Sequence, residues 1–164
     1  MKRLLLLVGV VLVAVVCVVI FRAVTMSSRQ AEAVPATDFN LNADALAGRL
    51  AKAVQYQTIS YEDKTKFDKE QFVGFQKFLE QSFPKVHKAM KKEIIGGYSF
   101  LYTLKGQDDK QLPILLAAHM DVVPAQYEPN SKWTYPPFQG RIADGFIWGR
   151  GTLDDKMSVM GILE

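Results

Sequence analysis

The sequence predicts an α/β domain, helices packed on a mixed sheet, set behind a hydrophobic N-terminal helix. Three observations carry this. Leu4 to Phe21 is an unbroken apolar run of 18 residues. Apolar residues then recur at helical spacing over residues 46–83 and give way to short strand-like runs from Glu93 onward. The run Ile114-Leu115-Leu116-Ala117-Ala118 does not alternate, which fits a central strand buried on both faces of a helix-covered sheet. A length of 164 residues suits one domain, or one small domain plus an appendage. With 49% hydrophobic and 23% charged residues, a disordered or collagen-like chain is excluded. The single cysteine, Cys17, excludes an intrachain disulfide framework and a cysteine-based metal cluster.

Residues 1–24 form the first segment. As a helix at about 1.5 Å per residue, Leu4–Phe21 spans roughly 27 Å, close to the hydrocarbon core of a bilayer. Lys2 and Arg3 precede it. A secretory signal has the same charged start, but its apolar region is ~7–15 residues and a small-x-small cleavage site lies close by. Here the nearest such site, Ala31-Glu32-Ala33, begins ten residues past Phe21. The residues Ala14-Val15-Val16 before Cys17 lack a lipoprotein signal's pattern. The expectation is an uncleaved single-pass anchor through residues 4–21, with a cleaved signal and secretion as the alternative. Lys2, Arg3 and the α-amine before the run, against Arg22 and Arg29 after it, favour a cytoplasmic N-terminus and a translocated body. A buried core helix is the bland alternative, and the all-round Val and Leu surface speaks against it. The net charge of +3 resides here too, in Lys2, Arg3 and Arg22 with no acid, so the rest of the chain is balanced and offers no basic face for nucleic acid.

Residues 25–42 are polar, contain Pro35 and lack periodicity, and read as a linker. Leu46, Leu50 and Val54 then mark a helix that Asn42 or Asp44 can cap. Phe72, Phe75, Leu79 and Phe83 mark a second, started by Asp68 with Gln71 as a capping-box-like pair and closed by Pro84. Glu93–Ile95 and Tyr98–Leu104 are strand-like around Gly96-Gly97, and Pro113–Ala118 is the buried strand. A Pro- and Tyr-rich loop runs from Val122 to Gly140, and Asp144-Gly145 is a hairpin turn between Arg141–Ala143 and Phe146–Trp148. A last helix begins near Asp155. Lys85, Lys88, Lys91 and Lys92 cluster near His87 and read as a solvated surface.

The chemistry-bearing stretch is His119-Met120-Asp121, at the C-terminal end of the buried strand, where ligand sites collect in open α/β sheets. An Asp two residues after a His can hydrogen-bond one ring nitrogen, fixing the tautomer and raising the basicity of the other as a metal ligand. Taken alone, that pair is better explained as a core His satisfied by a neighbouring acid. The second element, Gly149-Arg150-Gly151-Thr152-Leu153-Asp154-Asp155-Lys156, follows the hairpin. Its adjacent acids suit a helix cap, yet after a glycine-rich turn a carboxylate can also face a cation. Both elements together, in this order, are more specific than either alone.

Together with Val122-Val123-Pro124, Trp133, Pro137-Phe138-Gln139-Gly140 and Gly145-Phe146-Ile147-Trp148, these motifs resemble the aminoacylase/carboxypeptidase family of zinc metallohydrolases. That family includes glutamate carboxypeptidase, carnosinase-type dipeptidases, aminoacylase and desuccinylase. The wording is most similar to its carboxypeptidase S branch, which also holds N-fatty-acyl amino acid synthase/hydrolases. The resemblance is specific over residues 94–164 and weaker over 40–93. It implies that His119 binds one zinc, that Asp154 bridges two zinc ions in the complete site, and that Asp121 is the catalytic-site acid orienting His119. It implies a cis peptide between Asp154 and Asp155, and assigns no role to Lys156. It further implies a peptide or N-acyl amino acid substrate and a homodimer in the full-length protein.

A two-zinc site needs more ligands than His87 and His119, the only histidines, can supply with these acids. The family's Glu-Glu pair, which holds the general base, its further acid and its late His have no counterpart here. Residues 43–164 are therefore expected to be the N-terminal part of a mixed-sheet zinc-peptidase catalytic domain. Two functions follow as expectations. One is a membrane-anchored zinc amidohydrolase or carboxypeptidase represented by its N-terminal part. The other is a truncated, inactive anchored remnant with a binding role.

Overall fold

The computed structural model describes residues 1–28 and 39–164, in two compact units, Met1–Phe39 and Asn40–Glu164. Most of the expected linker, and the Ala31-Glu32-Ala33 site, lie outside the described residues. In the first unit, helix α1 (Lys2–Thr25) buries no side chain. It is long and apolar enough to cross a membrane, by length and composition.

The second unit combines helices with small antiparallel sheets. Helix α2 (Ala43–Val54) starts at Asn42, whose Oδ1 accepts from the Ala45 N–H at 3.0 Å and satisfies a free first-turn donor. Helix α3 (Lys69–Ser82) starts at Asp68, whose Oδ1 accepts from the Glu70 N–H at 3.0 Å. Gln71 does not complete a capping box. Its Oε1 instead accepts from the Gln57 N–H at 2.8 Å, tying α3 to the chain leaving α2. Pro84 both ends that apolar pattern and opens a further helix, α4 (Pro84–Ala89), because its missing N–H costs nothing in a first helical turn.

Strands β1 (Lys91–Ile95) and β2 (Ser99–Thr103) pair antiparallel from Lys91↔Thr103 to Ile95↔Ser99. Strands β3 (Arg141–Ala143) and β4 (Phe146–Trp148) pair from Arg141↔Trp148 to Ala143↔Phe146. The turn between them puts Asp144 at φ 54° and Gly145 at φ 78°, the pair of positive φ values that a two-residue hairpin prefers. Helix α5 (Lys156–Leu163) closes the unit. The expected α3 face is buried, and Phe75, Phe78, Leu79 and Phe83 join Ala53, Met160 and Leu163 in one core. Gly140 lets the long loop press onto α2: a Cβ there would lie 2.0 Å from the Ala51 carbonyl oxygen, and its φ is +63°.

Two sequence expectations are corrected. Residues 113–118 form no strand, and Ile114 and Leu115 are 88% and 82% exposed. A strand buried on both faces needs paired neighbours and covering helices, and among the described residues neither reaches it. Among the described residues the only parallel pairing is the bridge Ile59↔Val122 just beyond it, so there the mixed sheet is represented by that bridge alone. The lysine cluster is also less uniform than expected. Lys92 is ion-paired with Glu80 and lies 4.7 Å from the centre of the Phe100 ring.

Candidate metal centre

The bridge at Val122 anchors His119-Met120-Asp121. The Val122 N–H donates to the Thr58 carbonyl at 2.9 Å, and the Ser60 N–H donates to the Val122 carbonyl at 3.0 Å. The fully buried Thr58 adds its hydroxyl, which donates to the Met120 carbonyl at 2.6 Å. The segment leaving α2 thus fixes the backbone on both sides of Asp121.

The acidic motif is fixed from the other side. The Lys156 N–H donates to the Gly151 carbonyl at 3.0 Å and closes the turn. The Lys156 side chain is wholly buried, and its Nζ donates to the carbonyls of Ala53 at 3.0 Å and Tyr56 at 2.6 Å, at the C-terminal end of α2. It also lies 4.9 Å from the centre of the Phe75 ring. Burial pulls its amine down to about 7. Gly151 sits against Val122 so closely that a Cβ would meet Val122 Cγ1 at 2.7 Å. The Asp154–Asp155 peptide is cis.

These two anchored segments meet at the His119 ring. Nδ1 lies 3.0 Å from the Asp121 carbonyl oxygen and 3.3 Å from its carboxylate Oδ1. A carbonyl oxygen only accepts, so Nδ1 carries a proton and donates it. Nε2 faces Asp154 Oδ1 at 2.9 Å. In the neutral ring both of those atoms are acceptors, so a cation must stand between them, either the proton of an imidazolium or a metal ion. Burial alone lowers the His119 pKa, but the hydrogen bond with Asp154 and the one with the Asp121 backbone carbonyl, with the charges of both acids, raise it above the ordinary value of 6.5. Asp155 is bonded from its Oδ2 to the His119 N–H at 3.3 Å. The Ser158 side chain first, and that N–H with the His119 ring, hold the Asp155 carboxyl below the usual carboxylate range against the upward effect of burial.

An imidazole nitrogen and a carboxylate oxygen are donors that suit zinc, and Nε2 is the ring nitrogen left free by the Asp121 contact. The arrangement therefore fits half of a zinc site. Four donors are needed, and among the described residues no group of three or more His, Cys, Asp or Glu side chains converges. His87 is committed elsewhere. Its Nδ1 donates to the Phe83 carbonyl at 2.8 Å, and its Nε2 accepts from the Tyr102 hydroxyl at 2.8 Å. Burial, with the nearby Glu80 charge, pushes that phenol up to about 12 and keeps it a donor. Sequence reasoning named His119, Asp121 and Asp154, and the structure brings all three together. It missed Ser60 and Thr58. Their only signal was a Thr-x-Ser alternation flanking the buried Ile59.

Comparison with known proteins agrees with the motifs. Residues 115–164 match the profile of Peptidase family M20/M25/M40. The chain is 54% identical over 121 residues to a probable carboxypeptidase S-like 2 of Dictyostelium discoideum, covering 73% of this chain and 23% of that protein. It is 40% identical over 121 residues to an N-fatty-acyl-amino acid synthase/hydrolase of Xenopus tropicalis, again covering 73% of this chain and 23% of that protein. It is 38% identical over 112 residues to carboxypeptidase S of Saccharomyces cerevisiae, covering 67% of this chain and 19% of that protein. The chain thus spans about a quarter or less of the length of these curated relatives. No solved structure matches.

Proposed function

We infer, from the match of residues 115–164 to the profile of Peptidase family M20/M25/M40, that this chain contributes the first ligands of a two-zinc amidohydrolase that cleaves peptide or N-acyl amino acid bonds. One observation carries the reading: His119 Nε2 and Asp154 Oδ1 face each other at 2.9 Å while Nδ1 is engaged by Asp121. His119 would hold one zinc, Asp154 would bridge both, and Asp121 would keep the His119 ring oriented. When bound, the two zinc ions supply an acidified water and a polarised amide carbonyl. Asp121 fixes the tautomer, so that the Nε2 lone pair points out of the ring toward Asp154. The names of the relatives support an N-acyl amino acid or a peptide as substrate. Helix α1 is the membrane anchor in this reading, with the second unit translocated, and the full-length protein forms a homodimer.

The two-donor set is also what an inactive remnant with a binding role would show, and one experiment separates the two. Zinc content and hydrolysis of an N-acyl amino acid are measured for the full-length protein, His119→Ala and Asp154→Ala. Loss of both properties in each variant is expected. Unchanged zinc content and activity with both residues replaced overturns the assignment.

A further inference from the structure

The Asp121 carboxylate has two oxygens with different partners. Oδ1 lies 3.3 Å from His119 Nδ1. Oδ2 accepts from the Ser60 hydroxyl at 2.6 Å, within the ordinary range of an O–H···O hydrogen bond. Ser60 is itself fixed, because its N–H donates to the Val122 carbonyl at 3.0 Å within the parallel bridge. Ser60 itself is exposed, but its neighbours Thr58, Ile59 and Val122 are buried, so the backbone carrying the hydroxyl is tethered to the core. A line of contacts therefore runs from Ser60 Oγ, hydrogen-bonded to Asp121 Oδ2, across the 3.3 Å approach of Asp121 Oδ1 to the His119 ring, and on to Asp154 Oδ1. It joins three chain segments far apart in sequence.

We propose that Ser60 is a positioning residue for the metal centre: it locks the rotation of the Asp121 carboxylate, and through it the plane of the His119 ring. The argument rests on the zinc reading above. Without the Ser60 hydroxyl, Oδ2 takes its hydrogen bonds from solvent, and the carboxylate is free to turn about its χ angles. Asp121 still reaches His119 through its backbone carbonyl, so the ring keeps its tautomer and loses orientation only. The effect on metal is therefore smaller than that of removing Asp121.

The test uses the full-length zinc-loaded protein, with zinc affinity read by chelator competition alongside kcat, KM and the melting temperature. Ser60→Ala should weaken zinc binding by about 3–10-fold, the size of one net hydrogen bond, against about 10–100-fold for a direct partner of a ligating His. Ser60→Thr keeps the hydroxyl and should restore the affinity. In an Asp121→Ala background, Ser60→Ala should change nothing further, because the group it acts through is gone. An equal loss in both backgrounds, or a lowered melting temperature with unchanged zinc affinity, makes Ser60 merely structural and overturns the proposal. His119→Ala and Asp154→Ala are measured in parallel. If they abolish zinc binding while Ser60→Ala does not weaken it, the role of Ser60 alone fails. If they leave zinc binding intact, the zinc reading fails and the proposal falls with it.

Discussion

Asp121 and Asp154 hold one imidazole from opposite edges, so their replacements should fail differently. Asp154→Ala removes a proposed ligand to both metals and should lower zinc content most, together with His119→Ala. Asp121→Asn keeps the size and the backbone carbonyl contact but weakens the carboxylate acceptor, and should cost about 10–100-fold in zinc affinity or activity. Lys105→Ala, which removes a mostly exposed pair with Asp109, should leave both near wild type. Metal analysis of each purified variant checks the order, and a defect in Asp121→Asn alone would reverse the assignment of ligand and orienting acid. The proton adds a pH dependence. Zinc needs the neutral imidazole, and the two acids raise the His119 pKa above 6.5. Zinc affinity should therefore fall as pH drops through that raised value, at a higher pH than for an unperturbed His. The same shift acts oppositely on the metal-free fold. The protonated ring binds its acids, so this contribution to stability is complete below the unfolded value of 6.5 and is lost as pH rises through the folded one. Chelator competition of the wild type across pH 5–8 checks the zinc side, and NMR titration of the His119 ring in the metal-free protein, with Asp154→Asn moving its transition down, checks the contact; an unmoved transition counts against it.

At the scale of elements, Lys156 joins α5 and the acidic turn to the end of α2. Lys156→Met would leave the Ala53 and Tyr56 carbonyls without their donor, at a cost of about 2–4 kcal/mol. Its amine sits at about 7 when folded against 10.5 when free, so between those values the unfolded chain binds more protons and stability should rise with pH. Urea midpoints for wild type and Lys156→Met should show that rise only in the wild type. A parallel slope in both would mean that the amine is not the titrating group. Gly140→Ala should also destabilise, since its Cβ would collide with α2 and its φ of +63° disfavours a side chain. The sequence made α2, α3, both hairpins and the start of α5 legible, because local periodicity, caps and Gly-containing turns determine them. The residues of the site were legible through motif resemblance. Lys156 was not, because a buried lysine held by distant carbonyls and a ring face has no local signature and reads as a surface residue. Nor was Ser60, whose hydroxyl matters only once the parallel bridge brings it to Asp121. The strand expected at 113–118 failed for a related reason: a non-alternating apolar run specifies burial but not the partner that provides it.

At the scale of the molecule, two long apolar runs among the described residues stand exposed, and each has its own consequence. Along α1 every side chain is exposed, as a bilayer-spanning helix would present it. Alkaline carbonate should leave the protein in the membrane pellet; a soluble chain beginning near Ala33 would instead mean a cleaved signal. In the second unit the most exposed run is Leu112, Ile114, Leu115 and Leu116, at 89%, 88%, 82% and 67%. No membrane role explains a run that ends at His119 and is pinned through Val122 to Thr58 and Ser60. Its backbone groups are in no strand either, so they offer hydrogen bonds to any passing edge. Residues 40–164 produced alone, without α1 to confound the result, should therefore self-associate through this run and melt without a cooperative transition. Replacing Leu115 by Lys, a charge in the middle of the run, should reduce the association while leaving the α2–α3–α5 core intact, because Leu115 is not part of it. Light scattering across a concentration series and a thermal melt decide the matter. A monomer with a cooperative melt would show that the second unit needs nothing more to cover residues 112–116.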